Sequence, residues 1–220
     1  SFIRQRMAHT SEFFLSAVLI YIWIRFRQSK NPIHYAVIGV VLGLLCLTRV
    51  INVSFFALFA MDLLWELRKD WKASPAEAVK RFSILAGTLG GLFLLTMLPQ
   101  IYSWCQLNRV PFPTRHMKFA GEGLTTITLV PLIEKTYSLF FDARWGLLFS
   151  MPLAVLGVIG LFFKDGLPGD LRPGLLAYLA GIFGIIILYP EDSASYGHRH
   201  LISALPVFAL GLGCLLQRFA

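Results

Sequence analysis

Apolar residues in this chain come in long blocks separated by short polar and charged stretches. Blocks of roughly 15 to 25 apolar residues are typical of helices that cross a lipid bilayer. The pattern therefore predicts an all-α protein, a polytopic transmembrane helix bundle of about seven spans with one longer outer-face loop segment. The predicted spans are 7–24, 33–48, 50–67, 82–107, 145–163, 174–189 and 201–216.

Proline and charged residues set the predicted boundaries between these spans. Asn31-Pro32 should end the first helix, because proline disfavours a helical residue before it. Ser74-Pro75 and Glu77 match the first turn of a short surface helix, separate from the fourth span, which only Pro99 interrupts. The segment 108–144 is rich in proline and glycine, so it should be irregular with short helices.

Composition agrees with a membrane protein. The chain is 56% hydrophobic and 15% charged, whereas soluble domains carry about 25% charged residues. The net charge of +8 does not indicate nucleic-acid binding, because the basic residues lie at the ends of apolar blocks, where lipid headgroups are. The three cysteines are far apart and form neither a metal-binding spacing nor a disulfide framework.

The alternation of spans predicts the orientation. Basic residues slightly favour the connectors after spans one, three and five, and the long 108–144 loop counts less toward orientation. We therefore expect an integral protein of the bacterial inner (plasma) membrane, with the N-terminus outside and the C-terminus in the cytoplasm. The chain starts at Ser1 without a signal-peptide pattern. It is thus expected to be a fragment of a longer protein, a single domain over 1–220 with an extracytoplasmic segment at 108–144.

The most polar short run of the second half, 190–200, lies between two apolar blocks and contains more functional groups than a connector needs. Arginine suits phosphate because its planar donor fork matches two oxygens at once. Arginines at the predicted outer ends of three spans therefore indicate a site for an anionic headgroup, although each alone could be an interface anchor. The candidates for binding a lipid phosphate or substrate are Arg49, Arg144, Tyr196, His198, Arg199 and His200, with His9, Glu191 and Asp192 as weaker candidates.

Metal binding at this loop stays an open alternative. His198 and His200 are two residues apart and lie on different faces of a helix, so they form no metal site alone. Glu191, Asp192 or His9 could supply a further ligand to a divalent metal. No metal ligand is assigned, and no cofactor is predicted with certainty.

Two smaller patterns bear on modification and on helix packing. Asn52-Val-Ser54 has the glycosylation spacing, but its apolar surroundings argue against modification. The small-residue pairs Gly39/Gly43 and Gly87/Gly91 predict close packing between helices within this chain.

Three stretches occur in the order found in a known class of enzymes. They are "GVVLGLLCLTRV" at 39–50, "LFFDARWGLLFSMPLAVLGVIGL" at 139–161 and "SYGHRHLISALPVFALGLG" at 195–213. On the basis of these stretches, the chain resembles the later membrane half of GT-C class glycosyltransferases, and the resemblance covers nearly its whole length. The most similar groups are the protein mannosyltransferases and the lipid A aminoarabinose transferases. The most specific match is Tyr-Gly-x-Arg-(His/Tyr)-Leu…Pro at 196–206, followed by Arg-x-Gly-Leu at 144–147. The residues 191–195 depart from the Trp/Gly-rich stretch that many members have there.

The resemblance implies an enzyme that moves a sugar from a polyprenyl-phosphate-linked donor to a lipid or protein acceptor at the extracytoplasmic membrane face. A carboxylate would deprotonate the acceptor, and cations such as the arginines above would stabilise the departing lipid phosphate. The family's catalytic base would lie upstream of Ser1, so the fragment alone is expected to be inactive. The expected partners are the donor, the acceptor and membrane lipids. A transporter or flippase for an anionic lipid or solute is the alternative.

Overall fold

A computed structural model describes residues 2–29, 31–111, 129–142, 146–163, 166–188 and 199–219. Over these ranges the regular structure is helical and contains no strand, which confirms the predicted all-α class. Short 3-10 turns border three of the helices. Arg27–Ser29 follows the first helix, Val50–Ser54 precedes the helix that begins at Phe55, and Arg199–Ala204 precedes the helix that begins at Leu205. The helices are α1 (Phe2–Phe26), α2 (Pro32–Thr48), α3 (Phe55–Trp71), α4 (Pro75–Asn108), α5 (Leu129–Phe141), α6 (Leu147–Ser150), α7 (Pro152–Gly160), α8 (Arg172–Leu188) and α9 (Leu205–Phe219).

Three helical segments of the described chain are long and apolar enough to cross a membrane, namely Val50–Trp71, Pro75–Leu107 and His200–Phe219. The apolar helices α2 and α8 have 17 residues each. A helix of that length measures about 25 Å, slightly less than the ~30 Å hydrocarbon core of a bilayer. Membrane-spanning character is thus supported for part of the chain, whereas the count of seven spans is not confirmed and the orientation stays a prediction.

The predicted fifth span, 145–163, is not one continuous helix. Met151 separates α6 from α7 with φ −142° and ψ 61°. The ring of Pro152 disfavours a helical conformation at the residue before it, so the helix breaks at this point. The following helix α7 has 9 residues, about 14 Å of helix, which is too short to cross a bilayer by itself.

The surface helix predicted after Ser74 and the fourth span form a single helix, α4, of 34 residues. Pro75 occupies its first turn as expected, but the helix then continues through Pro99 without ending. Leu94, Leu95 and Leu98 are exposed along it, as expected for side chains that face lipid. The charged residues in the first turns of α4 therefore belong to the same helix as the apolar run, and no separate surface helix precedes the fourth span.

Glycine spacing decides how closely α2 and α4 approach. A Cβ atom added at Gly39 would lie 2.5 Å from the carbonyl oxygen of Leu89, and one at Gly43 would lie 2.6 Å from Cβ of Thr96. The predicted close packing within the chain is confirmed for this pair. Around Gly87 and Gly91, no heavy atom of another described helix lies within 4 Å of such a Cβ, so the same prediction is wrong for that pair.

Helices α7 and α9 approach even more closely, and this contact predicts a large difference between two glycines. A Cβ at Gly211 would overlap the backbone of Gly157, whereas at Gly213 it would meet open space. We expect Gly211→Ala to lower the free energy of unfolding in detergent by about 1–3 kcal/mol through overpacking. In the control, Gly213→Ala should be neutral or raise it by about 0.4–1 kcal/mol. Equal effects of the two substitutions would contradict this packing.

Candidate functional site

The end of α2 is built so that Arg49 leaves the helix at a defined angle. The carbonyl oxygen of Leu45 accepts hydrogen bonds from Thr48 Oγ1 at 2.6 Å, the Arg49 backbone N–H at 3.3 Å and Asn52 Nδ2 at 3.2 Å. Arg49 itself is extended, with φ −156° and ψ 129°. The chain then enters the 3-10 turn Val50–Ser54, where the Asn52 N–H donates to the Arg49 carbonyl. These bonds aim the Arg49 and Asn52 side chains toward α1.

On α1 these two side chains meet Glu12 and His9, and we call these four residues the α1–Arg49 cluster. Arg49 Nε lies 3.4 Å from Glu12 Oε2, and Arg49 Nη2 lies 3.4 Å from His9 Nδ1. Asn52 Nδ2 donates to Glu12 Oε1 at 3.3 Å. The Glu12 side chain is 0% exposed, whereas that of Arg49 is 21% exposed. The buried carboxylate therefore anchors a guanidinium whose other side reaches the surface.

The protonation state of His9 changes its partner within this cluster. Arginine can only donate hydrogen bonds, so His9 Nδ1 accepts from Arg49 when this nitrogen carries no proton. A protonated Nδ1 would instead attract Glu12 Oε2, which lies 3.9 Å away. With Glu12 ionised by its contact with Arg49, the cluster carries no net charge when His9 is neutral and one positive charge when His9 is protonated, and the second form is better suited to an anion.

The 3-10 turn Arg199–Ala204 contacts both α1 and α8. The turn packs against α1, and Ser203 in the turn accepts a hydrogen bond from the Tyr178 hydroxyl at 3.2 Å. Tyr178 is fully buried on α8, so this hydrogen bond links α8 to the turn in the interior of the bundle. Helix α1 thus contacts the end of α2 through Glu12, and it also contacts the turn before α9, which is bonded to α8.

Three of the predicted site residues can be located from this geometry. Arg49 and His9 are in direct contact, and half-buried His200 lies in the turn that packs against α1. Arg199 begins this turn, but only its backbone is described. The predicted clamp of three arginines therefore has one described side chain, Arg49. The other candidates, Arg144, Glu191, Asp192, Tyr196 and His198, lie outside the described residues.

Glu12 was missed by the sequence analysis although a signal for it exists. It follows His9 by three residues, a spacing that puts both side chains on one face of a helix. It also directly precedes the apolar run that starts at Phe13, where a buried acid is costly unless paired. Asn52 was considered only as a glycosylation site, and its complete burial agrees with the interpretation that it is not modified.

A second polar cluster, also missed, lies near the other end of α1. Arg27 Nη2 is 2.6 Å from Asp62 Oδ1, and Arg27 Nη1 is 3.1 Å from Asp170 Oδ2. Trp23 Nε1 donates to Asp62 Oδ2 at 3.1 Å, and its ring lies 5.3 Å from the Arg27 guanidinium carbon. Arg27 follows Glu12 by about 22 Å along the helix direction. The two clusters thus mark opposite ends of the bundle.

No protein-family model, curated protein or solved structure matches the chain. Among the residues that the structure describes, no three His, Cys, Asp or Glu side chains are grouped to hold a metal ion. The predicted alternative of a divalent metal at the 190–200 loop involves residues outside this description. The functional chemistry of the described residues therefore lies in the α1–Arg49 cluster and in the turn that packs against α1.

Proposed function

We propose that this chain is the membrane-embedded part of a glycosyltransferase, which moves a sugar from a polyprenyl-phosphate-linked donor to a lipid or protein acceptor at the extracytoplasmic face. The observation that carries this proposal is the position of Arg49. Its guanidinium is partly exposed, is held by the buried Glu12 and contacts His9. The turn that begins with Arg199 and His200 packs against the same helix, α1.

The chemistry of the transfer explains why such an arrangement is useful. When the bond between the sugar and the carrier breaks, negative charge accumulates on the lipid phosphate, and fixed cations lower the energy of that state. A guanidinium that is already oriented by a buried carboxylate loses little freedom when it binds phosphate oxygens. Arg49 and Arg199 are assigned this role, with His9 and His200 as additional donors.

Glu12 is assigned a positioning role and not the role of general base. A base must come within hydrogen-bond reach of the acceptor hydroxyl. The Glu12 side chain is fully buried and contacts Arg49 and Asn52, so it is directed toward the cation that it holds.

Arginine substitutions in the full-length protein test this proposal. We expect Arg199→Ala to lower the rate of sugar transfer from a polyprenyl-phosphate donor in nanodiscs roughly ten- to a hundredfold, since a charge-assisted hydrogen bond is worth about 1.5–3 kcal/mol. Arg199→Lys should recover only part of the rate, because lysine lacks the donor fork. In the control, Arg81→Ala, which removes a cation paired with Asp70 elsewhere on the surface, should retain wild-type transfer.

Two outcomes would contradict the proposal in different ways. If Arg199→Ala keeps wild-type kinetics while its melting temperature falls, Arg199 is an interface anchor and the phosphate-binding assignment is wrong. If the full-length wild-type protein transfers no sugar but moves an anionic lipid between the leaflets of a vesicle, the chain belongs to a flippase. The second outcome would favour the alternative from the sequence analysis.

A further inference from the structure

We infer that α5 is an interfacial helix, which lies in the plane of the membrane and inserts one face among lipid acyl chains at the end of the bundle that carries the α1–Arg49 cluster. This inference depends on the membrane-spanning helices and not on the proposed enzymatic function. It concerns the described side chains of α5 from Ile133 onward. With 13 residues, about 20 Å of helix, α5 is too short to cross a bilayer.

One face of α5 carries large apolar side chains that the protein leaves uncovered. Ile133, Tyr137 and Phe141 are 64%, 65% and 50% exposed. Residues four apart on a helix differ by about 40° around its axis, so the three side chains form one stripe. The rings of Tyr137 and Phe141 stack at 5.2 Å. Together with Thr136 and Phe140, the stripe borders a shallow apolar groove of about 330 Å³.

The other side chains of α5 divide into two further sectors. Leu139 is buried, and the Phe140 ring packs 5.6 Å from that of Phe183 on α8. The exposed polar side chains lie on the other side of the apolar stripe from Leu139 and Phe140, about 60° to 160° around the helix from Tyr137. They are Glu134, Lys135 and Ser138. The helix therefore has one face against the bundle, one apolar exposed face and one polar exposed face.

This order of faces fits the boundary between lipid and water. A helix at this boundary beside a bundle needs one side for the protein, one for acyl chains and one for water. Tyrosine is enriched at that depth because its ring is apolar and its hydroxyl is polar. A second protein is a poorer occupant, because three side chains expose much less than the roughly 800 Å² per partner that a stable interface buries.

The position of α5 along α8 identifies the end of the bundle. Helix α8 begins at Arg172, close to Asp170, which contacts Arg27 at the far end of α1. Phe183, the contact of α5, lies eleven residues further along α8, about 16 Å toward the opposite end. The amphipathic helix therefore lies toward the end of the bundle where Glu12 and Arg49 are.

Site-directed spin labelling tests the inference in liposomes of phosphatidylethanolamine and phosphatidylglycerol. The background is the full chain with Cys46→Ala, Cys105→Ser and Cys214→Ala, each variant being checked for native helicity. The nitroxide is examined with oxygen, which concentrates in acyl chains, and with the water-soluble nickel complex NiEDDA. The labelled positions are Ile133→Cys, Tyr137→Cys and Phe141→Cys on the apolar face, with Glu134→Cys and Ser138→Cys as matched controls on the polar face.

We expect the logarithm of the oxygen-to-nickel accessibility ratio to change sign between the two faces. It should be positive at 133, 137 and 141, which lie about 5–10 Å into the boundary between headgroups and acyl chains, and negative at 134 and 138. Nickel access at the three apolar positions would put α5 in water and overturn the inference. Exclusion of both reagents there would mean that protein covers the stripe, and oxygen dominance at 134 and 138 would mean an embedded helix. Each apolar position is measured independently, so a variant that does not fold leaves the other two to decide.

Discussion

Asp62→Ala is expected to lower the free energy of unfolding by roughly 3–5 kcal/mol, the typical effect of removing one partner from a buried ion pair. Asp62 Oδ1 forms an ion pair with Arg27 Nη2 at 2.6 Å, and Asp62 Oδ2 accepts a hydrogen bond from Trp23 Nε1 at 3.1 Å. The side chains of Arg27 and Asp62 are 5% and 3% exposed. Without Asp62, the carboxylate left to the buried guanidinium among the described residues would be that of Asp170, which is itself 39% exposed. Equilibrium unfolding in mixed micelles measures the loss.

Two other variants show whether burial of the Arg27–Asp62 pair causes the expected loss of stability. Asp70 pairs with Arg81 at the surface, where the side chains are 23% and 44% exposed, so Asp70→Ala should cost less than about 1 kcal/mol. Asp62→Asn keeps an oxygen that can accept from Trp23 but loses the charge, and should give an intermediate loss. If Asp62→Ala and Asp70→Ala destabilise the protein equally, the cluster at Arg27 does not hold the bundle together in the way described.

Glu12→Ala is expected to produce the second largest loss of stability, near the lower end of the roughly 3–5 kcal/mol range for buried pairs. The substitution leaves Arg49 without its carboxylate and Asn52 without one acceptor. Arg49 is partly exposed and can turn toward water, so the loss should be smaller than for Asp62. Thermal melting in detergent and unfolding in mixed micelles both report it.

A conservative variant and a surface control separate charge from packing in this cluster. Glu12→Gln keeps the length of the side chain and an oxygen for Asn52, so it should lose less stability than Glu12→Ala. Glu77→Ala removes an acid from the first turn of α4, where its interaction with the helix dipole is worth only about 0.3–1 kcal/mol. Wild-type stability of Glu12→Ala would mean that Arg49 does not depend on Glu12, and the positioning role would have to be abandoned.

The sequence predicts where a helix begins or ends when the signal depends only on the few residues around that position. Asn31 caps α2, its side chain accepting from the Ile33 backbone N–H, and Pro32 occupies the first turn. Pro75 begins α4 as expected. The break at Met151 obeys the same proline rule, but the apolar length of 145–163 predicts one continuous span and masks the effect of Pro152. A proline acts on the backbone next to it, whereas hydrophobicity averaged over many residues cannot locate such a break.

The candidate site was predictable in part, and the limit has a physical cause. Arg49 and His9 were singled out because a charge or a histidine beside an apolar block is unusual. Glu12 was not, since its importance comes from partners on α2 and in the turn after it. The pairing of Arg27 with Asp62 likewise joins α1 to α3. The sequence indicates that such charges need partners, but the partners are known only when the helices are packed.

The helical class of the chain, the apolar helices long enough for a membrane and several helix ends all follow from local properties. Backbone groups in lipid must be satisfied within the helix, and caps act over a few residues. The approach of α2 to α4 at Gly39, the closer contact of α7 with α9 and the open surroundings of Gly87 have no such local cause. The same small residues occur in all of these helices. Which glycine meets a neighbouring backbone, and which acid meets an arginine, is decided by how the helices pack, because these contacts act only over a few ångströms.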